Sequence, residues 1–258
     1  MSTILFEKIG NVAKITLNRP EVYNSFNREM SLELQRVLEE CEEDMEVRAI
    51  YLTGSGKAFC AGQDLQEITG ENPPDLSTIL GEHFNPIVRQ LRSIEKPIVG
   101  AINGVAAGAG ANFAIGCDIT VAAASAVFIQ AFSKIGLIPD SGGTYFLPRL
   151  IGRQRAAALM MLGDKVTAAE AEAMGMIYKV IPDKKFEAES WALAETLSQM
   201  PTKALGLIKR ALNYSSEKDL DNQLDIEDHL QSEAGQTYDF KEGVQAFLEK
   251  RKPLFKGE

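Results

Sequence analysis

Histidine and cysteine are scarce in this chain: two and three residues in 258. Cys41, Cys60 and Cys117 are odd in number and far apart, and His83 and His229 lie in different thirds of the sequence. That spacing supports neither a disulfide framework nor a metal-ligand set. Positive charge is also in deficit, with 27 Lys and Arg against 36 Asp and Glu and a net charge of −9. This is the wrong sign for a protein held to nucleic acid by phosphate neutralisation. Basic residues are dispersed except near the end, where Lys250-Arg251-Lys252 and Lys256 read as a solvated tail. The opening MSTILFEKIGNV has neither a charged n-region nor an apolar signal core, so a cytoplasmic location is expected. The one run that could imitate a membrane span, 97–117, is built of Ala and Gly and contains Asn103 and Asn112. It reads as buried interior, and no membrane partner is expected.

What the chain does have is an ordinary globular composition, 45% hydrophobic and 24% charged, and enough length to bury about 70–75% of its unfolded surface. Two alternating runs, 3–7 and 11–17, flank Gly10-Asn11 and predict a hairpin. Met30, Leu34, Val37, Leu38, Cys41 and Met45 recur at helical spacing behind Asn27, a suitable cap. A strand over 47–53, a helix over 76–94 and a Pro-initiated strand over 97–103 continue the alternation. That order predicts an α/β body with a parallel sheet covered by helices. No linker is longer than the Glu71-Asn72-Pro73-Pro74 turn. Beyond residue 150 the segments 153–162, 167–174, 186–199, 202–213, 219–234 and 239–250 have helical period, and only 177–181 reads as a strand. Phe240, Val244, Phe247 and Leu248 stripe the last helix, a face for the chain's own core or for a neighbouring subunit.

Two glycine-bearing turns carry the chemical signal. Between residues 97 and 133 the only charge is Asp118, and 104–110 reads Gly-Val-Ala-Ala-Gly-Ala-Gly. A glycine-rich turn entering a helix leaves its first N–H groups free for an anion or a developing oxyanion, although close helix packing explains the same residues. The dinucleotide fingerprint fails because the third glycine after Gly108 and Gly110 is Phe113. The phosphate-loop and serine-elbow signatures are absent. The second turn, 59–65, places Asp64 as a helix cap and leaves the Gln63 N–H free to face inward. Two such donors facing each other make an oxyanion hole.

Six segments then occur in order: Asn18-Arg19-Pro20; Ala58-Phe59-Cys60-Ala61-Gly62-Gln63-Asp64-Leu65; Asn103-Gly104-Val105-Ala106-Ala107-Gly108-Ala109-Gly110; Cys117-Asp118-Ile119; Gly136-Leu137-Ile138-Pro139-Asp140-Ser141-Gly142-Gly143; and Glu242-Gly243-Val244-Gln245-Ala246-Phe247. Together they resemble the crotonase, or enoyl-CoA hydratase/isomerase, superfamily from end to end. The resemblance implies a crotonase fold, a spiral of ββα units over 1–195 binding a CoA thioester, with a helical oligomerisation region over 196–258. It implies an acyl-CoA substrate that itself carries the coenzyme A, no separate cofactor and no metal, and a homotrimer or dimer of trimers.

By position, the resemblance assigns the oxyanion donors to the backbone N–H groups of Gln63 and Ala109. It places Ala61, Gly62, Asp64, Leu65, Gln66, Asn112, Phe132 and Phe84 about the substrate, with Lys57 as a phosphate contact. The two glutamates that hydratase members use to activate water fall on Asn112 and Phe132, which cannot move protons to or from water. Asp140 matches the aspartate of members that carry a proton between carbons, so the expected activity is CoA-thioester isomerisation. Its bland reading is a helix N-cap. Hydration of an enoyl-CoA is the alternative, and a non-catalytic crotonase-fold scaffold is a second alternative. His83 and His229 are expected on helix surfaces, His83 with a lesser claim to shaping the acyl pocket beside Phe84.

Overall fold

The computed structural model describes residues 2–69, 73–216 and 218–258, so residues 71 and 72 of the expected linker lie outside the described residues. Among the described residues ten strands form two sheets. The larger contains β1 (Ile4–Ile9), β2 (Val12–Leu17), β3 (Ala49–Gly54), β5 (Ile98–Ile102), β7 (Ile119–Ala123) and β10 (Lys179–Ile181), in the order β1-β2-β3-β5-β7-β10. The smaller contains β4 (Ala58–Cys60), β6 (Val105–Ala107), β8 (Val127–Ile129) and β9 (Lys165–Thr167), in the order β4-β6-β8-β9.

The first hairpin closes where the sequence places it, with Ile9 opposite Val12 and Gly10 at φ +58°. From β2 onward the large sheet is parallel. β3 and β5 are buried along nearly their whole length, hence their mainly apolar sequences, and the Thr53 hydroxyl of β3 is satisfied by donating to the Ala101 carbonyl. The helix Phe186–Ser198 crosses β2, β3, β5, β7 and β10, and Tyr51 on β3 stacks edge-on against Trp191 of that helix. The helices Arg28–Glu43, Asn85–Ser93 and Ala109–Gly116 contribute to the same core.

Three successive strands of the larger sheet are each followed at once by a short strand of the second sheet: β3 by β4, β5 by β6, β7 by β8. The chain therefore winds as the spiral of strand, strand and helix that the resemblance implies. The three-residue strands of the second sheet escape the sequence reading because they are too short to show a period. Parts of β4 and β6 fall within the turns 59–65 and 104–110 of the sequence, β7 and β8 add strands where none is expected, and β9 adds one beyond residue 150, where only 177–181 is expected. The run 97–117 is interior, divided among β5, β6 and the helix Ala109–Gly116. Among the described residues no helix is long and apolar enough to cross a membrane.

The segment read as one helix over 76–94 is helical but not uniform. A turn of α-helix, Leu76–Thr78, leads into a π-helix, Ile79–Phe84, and then the α-helix Asn85–Ser93. Pro86 supplies the reason, since a proline has no N–H to donate and its ring crowds the carbonyl four residues back. Widening the preceding turn relieves both conflicts. At the far end, Arg48 beside β3 fastens the C-terminal helices: its guanidinium donates to Thr202 Oγ1 and to the carbonyls of Met200 and Phe255.

The smaller sheet and the helix Ala109–Gly116 meet at Gly110, where an added Cβ would stand 2.3 Å from the Cys60 carbonyl oxygen and 2.7 Å from its Sγ. Elsewhere in a helix Gly→Ala stabilises by up to about 1 kcal/mol. Gly110→Ala is expected to do the reverse, destabilising by about 1–3 kcal/mol as an overpacked core does, measured by urea unfolding. An unchanged or raised midpoint would contradict this close approach.

Candidate active site

β4, β6 and β8 run parallel and adjacent, so their carboxyl ends open on one edge of the small sheet. A cavity of about 600 Å³ lies there. Its wall takes Ala61, Gln63 and Leu65 from the loop after β4, Gly108 and Ala109 from the turn after β6, and Phe132 and Asp140 from the segment after β8. Ligand sites form at the carboxyl ends of parallel strands in α/β proteins for the same topological reason.

The loop after β4 is held from outside. Arg19, in the Asn18-Arg19-Pro20 segment, donates to the Ser25 carbonyl at 2.6 Å and to Asp64 Oδ2 at 2.9 Å. Asp64 in turn caps the short helix Leu65–Ile68 through the Gln66 N–H. Buried Asn24 joins the same clasp, accepting from the Arg19 N–H and donating to the carbonyls of Ser55 and Ala58. Residues 62–64 add a strand-like rung to Phe26: the Phe26 N–H donates to the Gly62 carbonyl, and the Asp64 N–H donates to the Phe26 carbonyl. The Gln63 N–H between them points the other way and has no acceptor among the described residues.

The facing turn is equally constrained. The Gly108 N–H donates to the Ile129 carbonyl, and Gly108 takes φ +54° and ψ −128°, which places Ala109 first in its helix with its own N–H free of any acceptor among the described residues. Gly62, at φ +92°, lets the two turns approach closely beside the free N–H groups: a Cβ there would stand 3.0 Å from the Ala107 carbonyl oxygen and 3.2 Å from the Ala109 nitrogen. Two unpaired N–H groups thus border one cavity from adjacent turns, the arrangement that stabilises a thioester enolate oxygen.

Asp140 is the only ionisable residue on the cavity wall among the described residues. Burial pushes its carboxyl up to about 6, partly opposed by the Ser141 hydroxyl, which donates to Oδ1 at 2.8 Å. It is not a helix cap. Gly142 is the N-cap residue of the helix Gly143–Ile151, and it is the Asp140 main-chain carbonyl that accepts the Gly143 N–H. Ser141 and Gly142 are both left-handed, at φ +49° and +77°. A carboxyl titrating near 6 in an apolar pocket is poised to take and return a proton at neutral pH.

Of the residues singled out in the sequence, Ala61, Gln63, Leu65, Phe84, Ala109, Phe132 and Asp140 come together on this wall. The others do not. Gly62 sets the turn, Asp64 is occupied by Arg19 and its capping bond, Gln66 supplies the capped N–H, and Lys57 is exposed outside the cavity lining. Asn112 is fully buried behind the wall, bonded to the Asp140 carbonyl and to Gln130. His83 corrects the surface expectation: it is 1% exposed, on the π-helix, with neither ring nitrogen bonded among the described residues, whereas His229 is exposed. Sequence reasoning missed the apolar wall of Leu76, Ile79, Leu80 and Ile138. A π-turn hides their common face, and a loop isoleucine carries no periodic signal.

Phe26, Phe84 and Phe113 back the cavity as an edge-on cluster with centroids 5.3–6.2 Å apart. Phe132 Cζ stands 3.8 Å from where a Gly108 Cβ would be. Burial pushes the Cys60 thiol up to about 12, so it is no nucleophile at neutral pH. Among the described residues no three His, Cys, Asp or Glu are placed to hold a metal ion.

Two outcomes follow from this geometry. Because a base must be ionised, kcat/KM is expected to be level above pH 7 and to fall tenfold per unit below about 6, read from a pH series on the free enzyme; a midpoint near 4 would contradict the upward shift by burial, and an acid limb that persists unchanged in Asp140→Asn would remove Asp140 from that role. Proline suits the first position of a helix, so Ala109→Pro deletes one N–H with little harm to the fold. It is expected to cost about 100–1,000-fold in turnover, whereas Gln63→Ala, which keeps its N–H, costs only about threefold. Equal losses in folded protein would transfer the role to the Gln63 side chain.

Residues 7–258 match the family model described as enoyl-CoA hydratase/isomerase. The chain is 48% identical, over the full length of both proteins, to the 1,2-epoxyphenylacetyl-CoA isomerase of Escherichia coli K12. It is 46% identical to a Rhodobacter capsulatus protein named a probable enoyl-CoA hydratase, covering 99% of this chain and 98% of that one. The crystal structure of an enoyl-CoA hydratase from Bacillus anthracis superimposes with a TM-score of 0.92 at 35% identity, covering 99% and 100% of the two chains. With the spiral of paired strands and the two facing N–H turns, these likenesses establish that the chain belongs to the enoyl-CoA hydratase/isomerase family and has the crotonase fold.

Proposed function

We propose that the chain is a CoA-thioester isomerase that converts 1,2-epoxyphenylacetyl-CoA to the seven-membered oxepin-CoA and also shifts Δ3 double bonds of enoyl-CoA substrates to Δ2. The observation that carries this reading is the single carboxylate. Among the described residues Asp140 alone on the cavity wall can exchange a proton. Isomerisation needs one such group, and hydration is served by two. In the double-bond shift Asp140 takes a proton from the carbon next to the thioester. The electron pair moves into a dienolate whose oxygen meets the Gln63 and Ala109 N–H groups. The same proton then returns two carbons further on, leaving the formula unchanged. Each N–H contributes about 2.7–4 kcal/mol in the transition state.

The choice of substrate is supported by the 48% identical E. coli relative and by the apolar, aromatic-backed cavity. Water has little place to act, because Phe132 and buried Asn112 occupy the positions of the two hydratase acids. Coenzyme A arrives as part of the substrate, and exposed Lys57 remains the proposed phosphate contact. Phe240, Val244, Phe247 and Leu248, all exposed on the helix Tyr238–Glu249, support self-association as a trimer or a dimer of trimers. A cytoplasmic setting suits a CoA-dependent step.

The test is a parallel assay of purified protein on 1,2-epoxyphenylacetyl-CoA, a 3-enoyl-CoA and crotonyl-CoA, each repeated with Asp140→Asn. Isomerisation is expected to exceed crotonyl-CoA hydration by at least about 1,000-fold, a barrier difference of about 4 kcal/mol, and Asp140→Asn to lose at least about 100-fold while still binding the thioester. Hydration matching isomerisation would restore the hydratase reading.

A further inference from the structure

Asn112 is the one polar side chain on a helix turn that is otherwise Ala, Gly and Phe, and it has no exposed surface. Burying an amide there costs free energy unless both its ends are bonded. They are: Nδ2 donates to the Asp140 main-chain oxygen at 2.8 Å, and Oδ1 accepts from Gln130 Nε2 at 2.8 Å. The polarity of this chain is fixed from one end. A main-chain carbonyl can only accept, so Asn112 must present its NH2 to Asp140 and its oxygen to Gln130, and Gln130 must then present its NH2. Gln130, only 3% exposed, leaves its own Oε1 without a partner among the described residues. That cost has no counterpart unless the donor end is needed.

The amide also spans the two halves of the site. Asn112 lies one turn along the helix that begins with the free Ala109 N–H, and its far end grips the residue that carries the carboxylate. The loop it grips is strained, with Ser141 left-handed without being glycine. It also yields space for the contact, since a Cβ at Gly143 would stand 2.4 Å from Asn112 Nδ2. We propose that Asn112 is a positioning residue, a strut that sets the distance between the Ala109 donor and the Asp140 carboxylate, with Gln130 locking the rotation of its amide.

This inference rests on the reading of Asp140 as the base. Loss of the strut need not unfold the loop, because the Asp140 carbonyl retains its bond from the Gly143 N–H. Asn112→Leu, of similar size and without a donor, is expected to lower kcat on a 3-enoyl-CoA about 30-fold or more with KM within threefold, as misplacement of a reacting group by a fraction of an ångström does. Gln130→Met should lower kcat by about fivefold, again at constant KM. Asn112→Asp supplies a readout that a packing role would not move. Its buried carboxylic acid donates an O–H to the Asp140 carbonyl while protonated and loses that bond on ionising, so kcat should fall on the alkaline side where the parent enzyme is level.

Circular dichroism and thermal unfolding accompany each variant, with Asp140→Asn as the benchmark. Should Asn112→Leu fail to fold, the alkaline limb of Asn112→Asp and the kcat of Gln130→Met decide the question. Folded Asn112 and Gln130 variants with kcat within threefold of the parent and an unaltered pH profile, beside an inactive Asp140→Asn, would overturn the strut alone. An active Asp140→Asn would overturn the base beneath it.

Discussion

Parallel pairing of three very short strands governs this site. Because β4, β6 and β8 lie side by side in the same direction, the three segments that leave them emerge on one edge, and each delivers one component of the cavity. Strands of three residues have little stability of their own. They are held because each follows directly on a long buried strand of the larger sheet, whose burial stabilises both. The turns and helix ends that form the site are therefore anchored directly to the core.

A second constraint is electrical. The cavity wall combines backbone dipoles with one carboxyl and, among the described residues, no cation. Burial shifts that carboxyl toward neutrality, the direction that makes its conjugate base stronger. The charges that organise the site are kept outside it: Arg19 pairs with Asp64 behind the first loop, and Arg92 and nearly buried Lys209 pair with Asp118 behind the helix Ala109–Gly116. An ion pair within the cavity would compete with the substrate's developing negative oxygen for the free N–H groups. Its absence leaves those dipoles available.

Most of the larger sheet was legible because β1, β2, β3 and β5 are long enough to alternate or to be almost wholly apolar, as 11–17 and 97–103 are, whereas β7, Ile-Thr-Val-Ala-Ala, is too rich in alanine to stand out, and the caps at Asn27 and Asp64 hold as polar residues before a helical run should. The smaller sheet was not, because three residues carry no period and glycine-rich flanks resemble plain turns. In the site, the two facing turns could be read from residue type, since glycine at positive φ has few other uses. Asp64 and Asn112 show the limit of that reading. Both were placed about the substrate by the sequence reading, but one faces Arg19 and the other faces the back of the Asp140 loop, and the direction in which a side chain leaves its backbone is decided by packing partners distant in sequence.

The π-turn at Ile79–Phe84 amounts to one residue more than an α-helix would need. Ile79, Leu80 and Phe84 stand on the cavity wall from within that turn, with Leu76 just before it. Because Pro86 favours the widened turn, a proline just beyond the cavity governs which side chains of the preceding turns line it, whereas Asp140 and the free N–H groups of Gln63 and Ala109 are carried on other elements. The apolar shape of the cavity and its polar groups are therefore set by separate parts of the chain, and either can change while the other stays in place.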